Sequence, residues 1–147
     1  MIKRTNIQVL IFTRTPELKF LILKRTPERS GYWQPVCGGL EKGEQPIETA
    51  KREILEETGI EKLENIYDLD YTFTYKEPKN GILMKMRDIC FAAEVSNEIE
   101  IVLSNEHEKY IWSTEKETKK TLTWKPSLKT LDKLMKILRN EEKTKSV

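Results

Sequence analysis

The sequence predicts one α/β domain that spans residues 1–147. Two observations predict this fold class. Short apolar segments with the pattern of β-strands stand on both sides of an amphipathic segment at residues 46–57, and a second amphipathic segment follows at residues 125–140. The chain also has an ordinary length for one domain with its own core, and it contains neither an internal repeat nor a linker-like stretch.

The first half of the chain predicts two buried strands, an extended segment and a helix. Residues 7–12 (IQVLIF) and 19–25 (KFLILKR) are short apolar runs, with Thr15-Pro16 in the turn between them. Residues 26–31 predict a loop, and residues 32–37 (YWQPVC) an extended approach to a glycine-rich stretch.

A helix is predicted at residues 46–57 by its end signals and its apolar spacing. Proline suits the first turn of a helix, and Gly59 suits a left-handed cap just past the end. We expect the core face of this helix to carry four residues: Ile47, Ala50, Ile54 and Leu55.

The second half predicts a hairpin, a short strand and two helices. The elements are, in order, a strand at 66–75, a turn at Asn80-Gly81, a returning strand at 84–95, a strand at 109–113, a short helix that begins with the capping-box pattern at 114–117, and an amphipathic helix at 125–140. We expect the chain to be frayed from about residue 141.

Composition excludes several classes of protein. Hydrophobic residues make up 37% and charged residues 34% of the chain, which is typical of a soluble globular protein. A net charge of +2 gives no drive toward nucleic acid or an anionic membrane, and no apolar run approaches the length of a membrane span. Cys37 and Cys90 form no paired motif, and no cleavable signal pattern is present, so we expect a cytoplasmic protein with reduced thiols.

Three glutamates are concentrated where a helix tolerates them least. Glu53 shares a helix face with Glu56 and Glu57, and all three lie in the last turns, where the helix dipole disfavours negative charge. Arg52 is the only cation in this half of the helix. A solvated acidic face is the ordinary explanation, whereas the alternative is that a divalent cation neutralises the cluster. Oxygen ligands suit Mg²⁺ or Mn²⁺ rather than zinc.

The glycine-rich stretch before the helix completes this hypothesis. Gly38, Gly39 and Gly43 allow sharp bends and a close approach of the backbone to a ligand, and carbonyl groups there can join a metal shell. Magnesium ions beside such a loop suit a pyrophosphate group, because Mg²⁺ bridges phosphate oxygens. The pattern therefore indicates hydrolysis at phosphorus.

Residues 38–60 resemble the signature of the Nudix hydrolases without a mismatch. The matching positions are Gly38, Glu44, Arg52-Glu53-Ile54, Glu56-Glu57 and Gly59-Ile60, with the family's spacing. The resemblance implies an α/β/α sandwich with a mixed sheet and Mg²⁺-dependent hydrolysis of nucleoside diphosphates linked to another group.

The same resemblance implies roles for individual residues. Glu53 and Glu57 are expected as the principal metal ligands, with Glu56 as a third and Gly38 in the metal loop. Arg52 is expected to orient the carboxylates through charge-assisted hydrogen bonds. Any of these glutamates, or Glu44, is a candidate for activating water.

Three further stretches resemble one group within the family, the dihydroneopterin triphosphate diphosphatases, which are also described as dATP pyrophosphohydrolases. They are residues 31–39, 104–113 and 121–131. The resemblance implies a distal metal ligand, Glu106. It also implies these substrate-binding residues: Lys3, Arg25, Trp33, Cys37 and Thr123. Cys37 and Thr123 stand where that group has a threonine and a serine.

Several of these residues also have an ordinary structural interpretation. Trp33 is equally typical of a core or lid aromatic, Arg25 of an exposed strand end, Lys3 of a frayed terminus, and the lone His107 of a structural histidine.

The expected function is hydrolysis of a nucleoside or pterin triphosphate, such as dihydroneopterin triphosphate or a dATP-like nucleotide, to a monophosphate and pyrophosphate. The expected partners are small molecules, without nucleic acid or membrane, and the expected state is a monomer or a homodimer. Hydrolysis of dinucleoside polyphosphates or oxidised nucleotides is an alternative. A Nudix domain that only binds its ligand, as a sensor, is an alternative of another class.

Overall fold

The computed structural model describes residues 1–145, which form a seven-stranded mixed sheet and three α-helices. The strands are β1 (Arg4–Thr13), β2 (Lys19–Arg25), β3 (Trp33–Gln34), β4 (Val36–Gly39), β5 (Asn65–Lys79), β6 (Ile82–Glu94) and β7 (His107–Ser113). The helices are α1 (Pro46–Thr58), α2 (Glu115–Thr121) and α3 (Lys125–Lys145). Residues 27–29 form one short 3₁₀ turn.

Strand β1 lies at the centre of the sheet and changes its partner along its length. It pairs in parallel with β6 on one side. On the other side, residues 6–9 pair with β4 and residues 11–13 pair with β2, both antiparallel. The main order is β3-β2-β1-β6-β5, and β7 pairs with β2. The glycines at the end of β4 are therefore held beside the beginning of β1.

Both faces of the sheet are covered, because successive side chains of β1 point to opposite faces. Ile7 and Val9 belong to an apolar cluster that includes Ile54 of α1. Leu10 belongs to a second cluster that includes Leu131 of α3. The predicted helix–sheet–helix sandwich with a mixed sheet is confirmed.

The predicted core face of α1 is partly wrong. Ala50 and Ile54 are buried as expected, but Ile47 and Leu55 are 41% and 50% exposed. The inward stripe passes instead through positions 50, 53, 54 and 57, with the spacing of one helix face. Two of these inward positions are glutamates, so the acidic cluster lies mainly toward the protein.

The hairpin of β5 and β6 is longer than predicted at both strands. The turn at Asn80-Gly81 is as expected, with φ angles of 51° and 76°. The strands, however, continue to Lys79 and start again at Ile82, so the tip of the hairpin extends past Arg4, at the beginning of β1.

The C-terminal segment is more ordered than we expected. Helix α3 continues to Lys145 instead of fraying from about residue 141, because Glu141 accepts hydrogen bonds from Arg14 at 2.8 Å and Tyr67 at 3.0 Å. Residues 146–147 of the predicted tail lie outside the described residues. Among residues 1–145, no helix is both long and apolar enough to cross a membrane.

Candidate active site

Helix α1 presents the three glutamates of its C-terminal half in two different environments. Glu53 is 9% exposed and Glu57 is 2% exposed, whereas Glu56 lies on the solvent side. Gly59 ends the helix in the left-handed conformation, at φ 75°, as predicted. Because α1 packs against β1 through Ala50 and Ile54, the carboxyl groups of Glu53 and Glu57 are fixed at the boundary between the helix and the sheet.

Arg52 holds the acidic groups around it in defined positions. It makes five hydrogen bonds: two to the carboxylate of Glu44 at 2.7 and 2.9 Å, one to the carbonyl oxygen of Gly39 at 3.0 Å, one to Glu53 at 2.9 Å and one to Glu56 at 3.2 Å. This arrangement uses the planar fork of the guanidinium group. It ties the glycine loop to the helix and orients Glu53.

The Arg52 guanidinium also makes Glu44 a weak base. Its hydrogen bonds lower the pKa of Glu44 to about 2, with help from the Glu41 backbone and Thr49. A carboxylate with such a low pKa is poorly suited to accept a proton near pH 7. The hydrogen bonds to Arg52 and the low pKa suit a positioning role for Glu44, and the identity of the residue that activates water stays a prediction.

Glu53 lies so close to position 38 that only glycine fits there without a shift of the Glu53 side chain. A Cβ atom at Gly38 would lie 2.1 Å from Cδ of Glu53, which is far below any normal contact. The absence of a side chain lets the backbone of β4 and the Glu53 carboxyl group share one small space beside the cleft.

Glu57 meets two residues that are distant in sequence. Ligand atoms of Glu57, Glu106 and His107 all lie within 4.8 Å of one another. Within the described chain, no donor reaches either buried carboxylate oxygen of Glu57 with full hydrogen-bond geometry, although the Cys37 backbone and the Glu53 side chain lie close enough to affect its pKa. Burial, together with the neighbouring Glu53, raises the pKa of Glu57 to about 10. Buried carboxylate oxygens of this kind need a proton or a cation, so the group fits a hard divalent cation.

His107, the third member of this group, is buried. Its Nε2 atom lies 2.9 Å from the side-chain nitrogen of Gln34. An amide nitrogen can only donate, so the proton of the neutral ring is assigned to Nδ1, which lies 3.6 Å from Glu57. Burial lowers the pKa of His107, which keeps the ring neutral.

A cleft of about 790 Å³ opens beside this group. The predicted site residues that line it are Arg25, Trp33, Cys37, Gly38, Glu53, Glu106 and Thr123. Glu106 reaches the cleft because a bulge in the β2–β7 pairing sets His107 opposite Arg25.

Lys3 does not line the cleft, and Arg4 stands there in its place. Lys3 directly precedes β1, and its N–H continues the strand pairing by donating to the carbonyl oxygen of Lys85 at 2.8 Å, so the side chains of Lys3 and Arg4 point to opposite sides. The Arg4 guanidinium lies against Gly39, where a Cβ atom would come within 2.3 Å of its Nη2. The sequence contained no signal that could distinguish these adjacent cations, because the strand register was unknown.

Further cleft residues were missed by the sequence analysis. Arg29 lines the cleft and lies 3.5 Å from Glu106, and Tyr32 pairs with Arg25 through a hydrogen bond and a cation–π contact at 4.9 Å. Asp88 also lines the cleft. The predicted strand 84–95 also contains Lys85, Arg87 and Glu94, so its charge pattern held no signal that singled out Asp88.

The sequence profile of the NUDIX domain matches residues 4–134 of this chain. A Myxococcus xanthus protein named octanoyltransferase is 34% identical over 109 residues, which are 74% of this chain and 30% of that protein. An RNA pyrophosphohydrolase of Pelagibacter ubique is 33% identical over 84 residues, 56% of this chain and 52% of that one. An asymmetrical bis(5'-nucleosyl)-tetraphosphatase of Rattus norvegicus is 36% identical over 102 residues, 65% and 63% of the two chains. The chain spans less than two-thirds of the length of each relative.

Solved structures agree with the profile. A NUDIX hydrolase of Listeria monocytogenes has a TM-score of 0.80 and 27% identity, and the match covers 93% of this chain and 95% of that one. The dihydroneopterin triphosphate pyrophosphohydrolase of E. coli has a TM-score of 0.75 at 22% identity, covering 90% and 96%, a likeness that shows the fold alone. Because the NUDIX profile covers most of its length, this chain belongs to the Nudix hydrolase family.

Proposed function

We propose that this chain is a Mg²⁺-dependent pyrophosphohydrolase that cleaves a nucleoside or pterin triphosphate to a monophosphate and pyrophosphate. The observation that carries the proposal is the buried carboxyl group of Glu57, which no donor among residues 1–145 reaches with full hydrogen-bond geometry and which lies beside Glu106, a residue of the cleft that Glu53 also lines. Mn²⁺ is expected to substitute for Mg²⁺, because both accept oxygen ligands.

The carboxylates Glu53, Glu57 and Glu106 would hold the metal, with Glu56 at the solvent side. Bound there, Mg²⁺ supplies charge neutralisation for polyphosphate oxygens and lowers the pKa of a coordinated water. Arg52 keeps Glu53 in place through the hydrogen bond at 2.9 Å and thereby reduces the reorganisation needed when substrate binds.

Cationic side chains in the same cleft suit the phosphate chain. Arg4, Arg25 and Arg29 line the same cleft as Glu53 and Glu106. Arginine forms bidentate hydrogen bonds to phosphate, so these side chains can hold a polyphosphate against the metal end. Trp33 lines the same cleft, where its ring can pack against a flat ligand.

The identity of the products tests the proposed arrangement of metal and phosphates in the cleft. A cleft with several cations neutralises a departing pyrophosphate better than it neutralises a single phosphate, so we expect monophosphate and pyrophosphate from a triphosphate. Pyrophosphate and phosphate should be measured separately after incubation with Mg²⁺, with and without EDTA. Stepwise release of phosphate would contradict the cleavage position, and turnover that survives EDTA would contradict the metal requirement.

Dinucleoside polyphosphates are the second candidate substrates. The cleft carries aromatic residues from different elements, Trp33 of β3 and the contacting pair Tyr75 and Trp124, so it offers surfaces for two flat rings. One of the relatives is named as a tetraphosphatase of such compounds. Diadenosine tetraphosphate in the same assay separates the candidates. Ligand binding without any turnover would instead support a sensor.

A further inference from the structure

The inner end of the cleft holds three buried polar side chains that the proposed chemistry at phosphorus does not use. Asn6, Gln8 and Asp88 line the cleft and are 7%, 0% and 2% exposed. They lie on the sheet face that packs against α3, where their neighbours Leu10 and Cys90 are apolar. Buried polar groups need hydrogen-bond partners, so a polar atom among them that has none is available to a ligand.

Asp88 has one occupied oxygen and one available oxygen. The side-chain nitrogen of Asn6 and the hydroxyl group of Tyr75 both donate to Oδ1, at 3.1 and 3.0 Å. Among the described residues, no side chain or backbone group donates to Oδ2. Burial raises the pKa of Asp88 to about 6, so the group is ionised above that pH. Asp88 therefore offers a fixed, anionic acceptor to a ligand in the cleft.

Gln8 offers a donor beside this acceptor. The hydroxyl group of Thr130 lies 2.9 Å from Oε1 of Gln8, whereas Nε2 is buried and has no partner within the described chain. Asn6 is directly opposite Asp88 in the parallel pairing of β1 and β6, and Gln8 is two residues farther along β1. Asp88 and Gln8 are therefore diagonal neighbours on two paired strands, with Cα atoms roughly 7–8 Å apart, and their side chains point to the same face, so the acceptor and the donor face the same part of the cleft.

An aromatic wall closes the same space. The rings of Tyr75 and Trp124 meet edge to face, with centroids 5.1 Å apart, and both residues line the cleft. The Tyr75 hydroxyl group is held by Asp88, so the wall and the acceptor are fixed relative to each other. A flat heterocycle matches this combination of an aromatic surface with hydrogen-bonding groups at one edge.

We propose that Asp88 and Gln8 bind the lactam edge of a heterocycle, with Asp88 accepting the ring N–H and Gln8 donating to the adjacent carbonyl oxygen. This selects guanine-type or pterin-type compounds over adenine nucleotides. A lactam N–H is a stronger hydrogen-bond donor to a carboxylate than an aryl amine is. In adenine, the ring nitrogen beside the amine carries a lone pair, which the Asp88 carboxylate would repel. The inference rests on the proposed function but concerns only the end of the substrate away from the phosphates.

The test measures binding without catalysis. Quenching of tryptophan fluorescence by monophosphates would be followed for four ligands: guanosine, neopterin, adenosine and purine riboside monophosphates. The last has neither the lactam N–H nor the carbonyl group. The variants are Asp88→Asn and Gln8→Leu, with Asp132→Asn, an exposed position on α3, as the matched control.

We expect Asp88→Asn to weaken binding of the guanosine or the neopterin compound by roughly tenfold to a hundredfold, because a hydrogen bond to a charged group is lost. Gln8→Leu should weaken the same ligand. Binding of purine riboside monophosphate should change less than threefold, and Asp132→Asn should change nothing. Comparison of the guanosine and neopterin arms identifies which lactam the wild-type protein prefers.

Equal losses for all four ligands would overturn the assignment, and so would tighter wild-type binding of the adenosine compound. Thermal unfolding of each variant shows whether a loss reflects a damaged fold. Hydrolysis of the corresponding triphosphates is measured in parallel. If no triphosphate is hydrolysed while the lactam preference persists, the proposed function fails and the base-binding inference stands.

Discussion

Replacing Glu57 with glutamine should change how the stability of the metal-free protein depends on pH. Burial raises the pKa of Glu57 from 4.5 to about 10. The folded state therefore binds the Glu57 proton more tightly than the unfolded state does. The stability linked to this proton is fully present below pH 4.5 and declines as the pH rises toward about 10.

The expected loss follows from the unfolded pKa. Between pH 4.5 and pH 7 the free energy of unfolding falls by about 1.4 kcal/mol per pH unit, or about 3 kcal/mol in total. This value holds as long as the folded pKa stays above 7. In a chain of this size it corresponds to about 6–12 °C in Tm. Glu57→Gln keeps the shape of the side chain but has no proton to lose, so this part of the slope should vanish.

Urea unfolding followed by tryptophan fluorescence, in EDTA from pH 4.5 to pH 8, measures the difference. The curves for wild type and Glu57→Gln should converge near pH 4.5 and diverge above it, with the variant the more stable protein. Glu61→Gln, at an exposed position near the end of α1, is the control and should follow wild type. Parallel curves for wild type and Glu57→Gln would refute the claim that this carboxyl group is buried without a partner.

Three further predictions concern the residues around the metal end. Gly38→Ala should reduce Mn²⁺ affinity, measured by electron paramagnetic resonance. The reason is that the new methyl group would lie 2.1 Å from the present position of the Glu53 carboxyl carbon. Unchanged affinity would show that this close packing is dispensable. Arg52→Lys keeps the charge but loses the planar fork, so metal affinity or kcat should fall by about tenfold to a hundredfold, and a variant with wild-type values would contradict the positioning role. Arg4→Ala should raise KM for a triphosphate and make it less sensitive to salt, whereas Lys3→Ala should leave both unchanged, and the reverse result would contradict the strand register.

The sequence by itself determined helix α1, which carries the candidate metal ligands Glu53 and Glu57. The spacing within residues 38–60 carries the Nudix signature, and Gly59 and the apolar spacing of 46–57 define a helix that the structure places at Pro46–Thr58. These features are local, because helix periodicity, capping and turn chemistry depend on residues a few positions apart. The alternating pattern of the strands and the Asn80-Gly81 turn were predictable for the same reason.

Tertiary structure alone decided which side chains meet. Glu57 contacts the region of Glu106 and His107 only because β7 pairs with β2 in one register, with a bulge next to Arg25. Whether Arg4 or Lys3 faces the cleft depended in the same way on the pairing of β1. A shift of one residue in a strand register turns every side chain to the opposite face, and nothing in a local sequence pattern fixes which of two registers forms. Pairing between distant strands therefore set the composition of the site, while local sequence set its carboxylate helix.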